Sequence, residues 1–293
     1  MNFFKKKFYQ IYLYLLEVFT SDDVQISELQ YYIRTGNKLD FKNPKNFADK
    51  IQWLKLFYYD ESFGKYADKY LCRQVVKERV GESILVNLIG VYESVDEIDF
   101  EKLPNKFVLK YSHGSGFNLI VNDKTKVNWE KEKKRFKKFR TQNYYYKFRE
   151  KIYNKLKPTL IIEELLELPN KSELIDYKFQ CFHGEPVMVL MKVKEDNKGV
   201  RVLYDMDWNK IQPDPCTKGY LRGEISKPAN FEEMKQIAAK LSQGFPFIRV
   251  DLYSIGDKTY FGELTFIPNG GAKDVLIMRF NTFYGDLVKL PEH

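Results

Sequence analysis

Apolar side chains recur at helical spacing through the first part of the chain, to about residue 80. One helix is predicted to open at Asn43-Pro44 and Asn46. Its apolar positions lie three or four residues apart, at Phe47, Ile51, Leu54 and Tyr58. A second helix is predicted to run from Glu61 to Arg79 and to end at Gly81.

Short apolar runs replace the helical spacing farther along the chain and predict strands. Residues 106–110 form one such run, a glycine-containing loop follows, and residues 119–122 can return antiparallel to the first strand. The basic stretch from Trp129 to Lys157 predicts one or two helices, broken near residues 141–143.

The last part of the chain is richer in strands. Residues 159–166 form an apolar run, and two hairpins follow it. The first hairpin joins residues 177–182 to 186–193, and the second joins residues 247–254 to 259–265. The pattern therefore predicts an α+β chain with mainly antiparallel sheets.

A helix is also predicted between the two hairpins. Asn230 and Glu233 have the spacing of a capping box, in which each side chain binds the other residue's backbone N–H. The apolar positions that follow form one helical face, at Met234, Ile237, Ala238 and Leu241.

The positive charge of the chain is concentrated in one segment. Residues 122–157 hold 14 Lys and Arg against 4 Asp and Glu, a local charge of +10, whereas the whole chain carries +8. Such a segment either attracts anionic polymers, nucleotides or lipid headgroups or forms ordinary solvated helix faces. The apolar content of 44% excludes a disordered chain.

The cysteines indicate a reduced, cytoplasmic protein. Cys72, Cys181 and Cys216 are scattered and odd in number, and no pair has the spacing of metal ligands. With only three histidines in the chain, we expect no zinc site.

The N-terminal segment has lysines at positions 5–7 followed by a mostly apolar stretch from Phe8 to Phe19. This stretch is too short to span a bilayer and contains Gln10 and Glu17. It also lacks the small-residue cleavage site of a signal peptide. Such a helix either packs on the body of the protein or makes peripheral contact with a membrane surface.

Two acidic residues near the C-terminus are candidate metal ligands. Arg249 and Asp251 lie on one predicted strand, and Glu263 lies on the next. A buried, unpaired carboxylate is costly in strands this apolar, so a metal ion or Arg249 should offset the charge. Mg²⁺ binds carboxylate oxygens on rigid elements. A magnesium site and a structural arginine–carboxylate cluster are both compatible with this pattern.

A candidate phosphate site lies farther upstream. Lys110 ends an apolar strand, and the loop Ser112-His113-Gly114-Ser115-Gly116 follows directly. Polyphosphate is bound by a lysine together with a loop of free backbone N–H groups. Because Gly-Ser-Gly alone is a common turn, the prediction of a metal–nucleotide site depends on finding the loop and the carboxylates in one chain.

The order of these motifs resembles that of ATP-grasp enzymes and, more narrowly, of the TupA-like ATP-grasp branch. The resemblance covers roughly residues 30–291. It is carried by Asn43–Leu56, Asp68–Arg73, Lys106–Asn118, Asp176–Phe182, Tyr204–Asn209 and Pro246–Gly271.

The fold implied by this resemblance is an α+β ATP-grasp fold, in which two subdomains with mainly antiparallel sheets grip ATP. A helical region at residues 1–80 would precede them. Residues 81–158 would form the lid subdomain with the phosphate loop, and residues 159–293 would form the core subdomain with the metal-binding strands.

The resemblance also implies a nucleotide site. Lys110 and Lys178 would contact the phosphates or the adenine of ATP. The loop would close over the phosphates through Ser112, Gly114, Ser115 and Gly116. The hinge beside the adenine and ribose would consist of Glu163, Glu164 and Leu166.

The implied metal site lies on the last hairpin. Asp251 and Glu263 would hold Mg²⁺, and Arg249 would be catalytic by stabilising the transferred phosphoryl group. The family usually has asparagine where this chain has Thr265, so Thr265 or Asn269 would supply the remaining metal contact.

The activity implied by the resemblance is an ATP- and Mg²⁺-dependent carboxylate–amine ligase that forms an amide through an acyl-phosphate. The association of the branch with teichuronopeptide implies that a uronic acid or amino acid, together with an amine, serves as substrate. The product would decorate a bacterial surface polysaccharide or its precursor. The acceptor would be an anionic glycan or a lipid-linked molecule rather than nucleic acid.

Two other enzyme classes remain open. Asp205 and Asp207 form a DxD triplet of the kind that metal-dependent glycosyltransferases use, although no βαβ unit precedes it. An ATP-grasp kinase would use the same nucleotide machinery and stop after phosphorylating a hydroxyl.

Overall fold

A computed structural model describes residues 3–168, 174–195, 198–211, 219–220, 223–272 and 281–292. The chain forms two compact units. The first consists of Met1–Phe63, Tyr144–Asn154 and Phe266–His293, and the second of Gly64–Asn143 and Lys155–Thr265.

The described residues form an α+β fold, as predicted. The helices are α1 (Phe3–Phe19), α2 (Asp23–Thr35), α3 (Phe47–Trp53), α4 (Gly64–Ala67), α5 (Cys72–Val80), α6 (Trp129–Arg140), α7 (Tyr145–Phe148), α8 (Phe231–Ser242) and α9 (Asn281–Leu287). The strands are β1 (Leu88–Tyr92), β2 (Phe107–Tyr111), β3 (Asn118–Val121), β4 (Leu160–Glu163), β5 (Asp176–Phe182), β6 (Glu185–Glu195), β7 (Lys198–Asp205), β8 (Phe247–Ile255) and β9 (Lys258–Thr265). No helix among the described residues is long and apolar enough to cross a membrane.

The first unit is mainly helical. The Asn46 side chain caps α3 by accepting a hydrogen bond from the Asp49 backbone N–H at 3.0 Å. The helix continues as a π-helical turn, Leu54–Tyr58, and buries the predicted apolar face, including Ile51 and Leu54. The predicted N-terminal helical region and the spacing of its first apolar face are therefore confirmed.

One antiparallel sheet of the second unit carries the phosphate lysine. Its strand order is β1-β4-β2-β3. Lys110 of β2 is paired with Ile161 of β4, and Val108 is paired with Glu163. Lys110 and Glu163 are therefore diagonal neighbours on one face of the sheet. Strand β4, which the predicted division assigns to residues 159–293, lies in the same sheet as β1, β2 and β3. The division of the chain into residues 1–80, 81–158 and 159–293 stays a prediction.

The other antiparallel sheet carries the candidate metal ligands. Its strand order is β7-β6-β5-β8-β9. Asp251 of β8 is paired directly with Glu263 on one side and with Lys178 of β5 on the other. Helix α8 contacts β5, β6 and β8 and buries the predicted apolar face, at Met234, Ile237, Ala238 and Leu241. The charged side chains of Lys178, Asp251 and Glu263 lie on the opposite face of the sheet.

The second predicted helix is interrupted, contrary to the expectation of one helix from Glu61 to Arg79. A 3₁₀ turn precedes α4, and α5 begins only at Cys72. The break occurs because the Asp68 carboxylate accepts hydrogen bonds from the backbone N–H groups of Tyr70 and Leu71, at 2.8 and 2.9 Å. Local side-chain bonds of this kind compete with helix formation.

The capping box predicted at Asn230 is wrong, although the helix itself is present. The Asn230 side chain donates to Thr259 Oγ1 at 2.8 Å and accepts from Ser254 Oγ at 2.7 Å instead of binding the helix. Glu233 accepts a hydrogen bond from the same Thr259 hydroxyl at 2.6 Å. Partners on β8 and β9, which are distant in sequence, thus replaced the local capping bonds.

Candidate active site

A cleft of about 400 Å³ opens in the second unit. This volume lies within the range of small-molecule sites. Residues from both sheets, from the glycine-containing loop and from the segment between α4 and α5 contribute to its lining, among them Lys69, Lys110, Ser115, Gly116, Asp251 and Glu263. The structure therefore brings the predicted phosphate lysine and the predicted metal carboxylates to one cleft.

Arg249 connects the two carboxylates of the last hairpin. Its guanidinium binds Asp251 through two hydrogen bonds, of 2.6 Å from Nε and 2.7 Å from Nη2. The same Nη2 donates to Glu263 Oε1 at 3.0 Å and to Thr265 Oγ1 at 3.1 Å. Burial lowers the pKa of Arg249, but the carboxylates outweigh burial and raise that pKa. Arg249 therefore stays charged between the two acids.

Lys178 neutralises Asp251 from the neighbouring strand. Its ammonium lies 2.6 Å from Asp251 Oδ2 and also contacts Asp176 on its own strand. Burial, followed by the negative charge of Asp251, raises the pKa of Asp176 to about 6. Asp176 Oδ1 has no hydrogen-bond partner within the described ranges. This oxygen is a free acceptor beside the cluster.

Lys69 links Glu263 to the loop. Its ammonium donates to the Gly114 carbonyl oxygen at 2.7 Å and lies 3.8 Å from Glu263 Oε2. Burial would raise the pKa of Glu263, but Lys69, Arg249 and Lys178 outweigh it and lower that pKa to about 2. Glu263 is therefore an anion at neutral pH and is available to a cation or to a hydrogen-bond donor.

Glu163 forms a second charged cluster with Lys110. Lys110 Nζ lies 2.5 Å from Glu163 Oε2, and Arg73 Nη1 lies 3.0 Å from Glu163 Oε1. Both oxygens of Glu163 are thus engaged by cations. The exposed carboxylate of the predicted hinge is Glu164, which lines the cleft together with Leu166.

The predicted phosphate loop divides into two halves. Ser112 and Gly114 are buried, and the Ser112 hydroxyl donates to Asp68 Oδ2 at 2.6 Å. Ser115 and Gly116 are exposed and line the cleft. Gly116 has φ of 84°, a left-handed conformation that glycine adopts without steric cost. The first half therefore anchors the loop, and the second half is the part that can meet a ligand.

The donor set fits Mg²⁺. Proteins usually bind this ion through one or two carboxylates together with substrate phosphates, leaving waters in place. Asp251 and Glu263 supply two carboxylates on adjacent strands, and the unpartnered Asp176 oxygen lies beside them. Arg249 and Lys178 engage both oxygens of Asp251, so an ion would share that carboxylate with them. Among the described residues, no three His, Cys, Asp or Glu side chains are grouped as a metal site. Phosphate oxygens would therefore complete the coordination.

The two residues proposed to replace the family asparagine differ in position. The Thr265 hydroxyl donates to Glu263 Oε1 at 3.1 Å, so it orients that carboxylate. Asn269 lies in the turn Pro268–Gly271 of the first unit with φ of 54°. Metal ligation by either residue stays a prediction.

Three residues of the site were not singled out from the sequence, namely Lys69, Arg73 and Asp176. They lie within or beside stretches that carry the family resemblance, Asp68–Arg73 and Asp176–Phe182. The resemblance of these stretches to the family was therefore a signal that could have identified all three residues. The partners of Lys69 and Arg73 could not be identified, because Glu263 and Glu163 lie on strands distant in sequence. The partner of Asp176 is Lys178, two residues away on the same strand.

The TupA-like ATP-grasp family matches residues 49–289 of this chain, which is most of its length. This match confirms the resemblance and the predicted ATP-grasp fold. No curated protein is similar to this sequence at a significant level.

Solved structures with a similar fold include ATP-grasp ligases. D-alanine–D-alanine ligase from Bacillus anthracis, complexed with ATP, is 12% identical with a TM-score of 0.47 over 78% of this chain and 66% of that chain. Phosphoribosylamine–glycine ligase from Thermotoga maritima is 11% identical with a TM-score of 0.44, over 75% of this chain and 55% of that chain. The ATP-grasp ligase PsnB, complexed with minimal precursor, Mg and ADP, is 9% identical with a TM-score of 0.44, over 82% and 64% respectively. This chain thus spans less than two thirds of the length of each of these enzymes.

Replacing Glu163 with glutamine should lower the free energy of unfolding by about 3–5 kcal/mol, because Lys110 and Arg73 lose the buried anion between them. Chemical denaturation at neutral pH measures the change. Glu167→Gln is the matched control, since Glu167 pairs with Lys106 at the surface, where both side chains are about 45% exposed. This control should cost less than about 1 kcal/mol. Equal effects of the two substitutions would contradict the importance of the buried cluster.

Proposed function

This chain belongs to the TupA-like ATP-grasp family, and from that membership and the geometry of the cleft we propose that it is an ATP- and Mg²⁺-dependent carboxylate–amine ligase. The observation that carries the proposal is the cluster in which Arg249 joins Asp251 to Glu263, since these two carboxylates line the same cleft as Lys69 and Lys110. Cations for phosphate and carboxylates for a metal ion occur together there.

Each part of the nucleotide has a candidate partner in the cleft. Lys69 and Lys110 supply positive charge for the phosphates, and the exposed half of the loop, Ser115 and Gly116, can cover them. Glu164 and Leu166 line the cleft at the hinge, where the adenine and ribose would bind. Glu163 acts through Lys110 by holding its ammonium in place.

The proposed reaction has two steps. A carboxylate oxygen attacks the γ-phosphorus of ATP, the bond to the bridging oxygen breaks, and ADP leaves. An amine then attacks the acyl-phosphate carbon, phosphate leaves, the amine nitrogen loses a proton and an amide forms. Arg249 would stabilise negative charge on the transferred group without moving, because both carboxylates hold its guanidinium.

Mg²⁺, when bound by Asp251 and Glu263, would neutralise phosphate charge and orient the reacting phosphorus. Lys178 holds the Asp251 carboxylate in place, and Thr265 orients Glu263. These two residues therefore fix the orientation of the carboxylates that would bind the ion.

The glycosyltransferase alternative lacks a free DxD triplet. One carboxylate oxygen of Asp205 accepts hydrogen bonds from the Asp207 and Asn209 backbone N–H groups, at 3.0 and 2.7 Å, and the other accepts one from the Asn209 side chain at 3.0 Å. This aspartate is used to close its own turn. The kinase alternative shares the nucleotide site, so only the product of the reaction separates it from a ligase.

The ligase proposal predicts that purified protein releases ADP from ATP in the presence of a carboxylate, tested with uronic acids crossed against amino acids and small amines. Added hydroxylamine should trap the acyl-phosphate as a hydroxamate. Glu263→Gln should lower kcat by about 100-fold, since charge stabilisation in the transition state is lost. Asp207→Asn is the control and should leave kcat unchanged.

Different products would contradict the proposal. Phosphorylation of a hydroxyl without any hydroxamate would identify a kinase. Release of a nucleoside diphosphate from a sugar nucleotide, with no ATP turnover, would identify a glycosyltransferase.

The acceptor side of the proposal is an anionic bacterial surface glycan or its precursor, and the charge of α6 supports it. This helix exposes Lys131 and Lys138, seven residues apart on one face, and also Arg140 in its last turn. Its Phe136 is fully buried, so the apolar side packs inward and the basic side faces solvent. Such a surface attracts an anionic polymer.

Reversing two of these charges, with Lys131→Glu and Lys138→Glu, should weaken binding of polyglucuronate by about tenfold at low salt, because each change replaces attraction with repulsion. Isothermal titration at two salt concentrations measures this effect. Lys38→Glu with Lys42→Glu, both at exposed positions, is the charge-matched control. An equal loss of polyglucuronate binding in the control would show that binding depends on the net charge of the protein and not on α6.

Peripheral contact with a membrane is proposed for α1. Its exposed large apolar side chains recur at helical spacing along one face, at Phe8, Ile11, Tyr12, Leu15, Val18 and Phe19. Lys6 and Lys7 lie exposed at the same end as Phe8. The opposite side of the helix packs on α2, where Tyr9 contacts Tyr32. An apolar face with flanking lysines suits an anionic bilayer surface.

The full chain should therefore sediment with phosphatidylglycerol vesicles and much less with phosphatidylcholine vesicles. Ile11→Ser with Val18→Ser should reduce the bound fraction at least about tenfold, since two apolar side chains no longer enter the bilayer. Ser27→Ala, a buried position on α2, is a control for general effects on the helices. Concentration-dependent dimerisation that depends on Ile11 and Val18, without vesicle binding, would instead assign the face to a second copy of the chain.

A further inference from the structure

Two cationic side chains lie opposite each other on the two strands at one edge of the second sheet. Lys192 of β6 is paired directly with Arg201 of β7. Like charges directly opposite each other on adjacent strands destabilise a sheet. Within the described ranges, neither side chain forms an ion pair with a carboxylate, and both are exposed. The pair therefore carries positive charge that no described residue neutralises at close range.

This pair lies on the same face of the sheet as the active-site carboxylates. Lys178 is paired with Leu190 on one side and with Asp251 on the other, so these three residues share a face. Lys192 lies two residues beyond Leu190 and therefore has the same orientation. The other face of the sheet packs on α8. Lys192 and Arg201 thus extend the charged face away from Arg249.

The local electrostatics agree with this placement. Partial burial, and then the positive charges of Lys178, Arg201 and Arg249, lower the pKa of Lys192, and the charge of Asp176 offsets this only in part. An anion bound between Lys192 and Arg201 would relieve this repulsion. The nearest acid on the same face, Asp176, is already bound to Lys178.

We propose that Lys192 and Arg201 form a subsite for a second carboxylate group of the substrate whose first carboxylate is activated beside Arg249. The inference rests on the proposed ligase function. A guanidinium binds a carboxylate through two parallel hydrogen bonds, and an ammonium adds a point charge. Arg249 is in register with Met188 of β6, so Lys192 lies about 10 Å away across the sheet and four residues farther along it. The reacting carboxylate cannot occupy both places, so the substrate is a dicarboxylate or an oligomer of acidic units.

Thermal unfolding of the full chain tests the subsite without requiring turnover. The midpoint is measured in increasing digalacturonate, and separately in inorganic phosphate, with chloride holding ionic strength constant. We expect digalacturonate to stabilise the wild-type protein. Lys192→Gln with Arg201→Gln should raise the concentration for half of the effect at least about tenfold, because two charge-assisted contacts are lost. Lys240→Gln with Lys258→Gln removes the same charge elsewhere and should respond like the wild type.

Three results would overturn the subsite. These are a double variant that responds like the wild type, a wild-type protein that digalacturonate does not stabilise, and stabilisation by phosphate alone. Without ligand, the double variant should unfold at the same or a higher temperature than the wild type, because repulsion is relieved. A lower temperature would indicate a structural role for the pair.

A parallel titration with a non-hydrolysable ATP analogue separates this inference from the proposed function. The analogue should bind the wild type and the double variant equally. Failure of the analogue to bind either protein would count against the ligase proposal, whereas a normal analogue affinity with no digalacturonate response would count against the subsite alone.

Discussion

The arrangement of charge around Arg249 is the constraint on which the site depends. Asp251 lies in an apolar sheet, where an isolated carboxylate would be costly. Arg249 from the same strand and Lys178 from the neighbouring strand neutralise it, and Arg249 also reaches Glu263. The direct pairing of Asp251 with Glu263 makes this possible. A shift of one residue in that register would turn Glu263 to the face covered by α8.

The two sheets of the second unit use the same physical solution. In the first sheet, Glu163 is held between Lys110 and Arg73, and in the second, Asp251 is held between Lys178 and Arg249. Each cluster holds its cations at defined positions, and Lys110 lines the cleft that we propose binds the polyanion ATP. The carboxylates thus preorganise the cations. A ligand then loses less binding free energy to the ordering of those side chains.

Much of the architecture was predictable because it follows local patterns. The two hairpins were predicted from short apolar runs joined by turn residues, and α8 from its spaced apolar positions. Errors arose where a polar side chain forms hydrogen bonds that the apolar pattern does not show. Asp68 interrupts a helix and binds Ser112, and Asn230 bonds to Ser254 and Thr259 rather than capping α8.

The sequence by itself determined the α+β class, the family, and the residue types from which a nucleotide and metal site can be built. Only the tertiary structure decided which of these residues meet. Lys69 contacts both Gly114 and Glu263, and Glu163 pairs with Lys110, although no local sequence pattern predicts any of these three contacts. The physical reason is that the spacing of apolar residues in a strand or helix depends only on near neighbours in the sequence. Which charged side chains pair depends instead on strand order and register, which the whole fold sets.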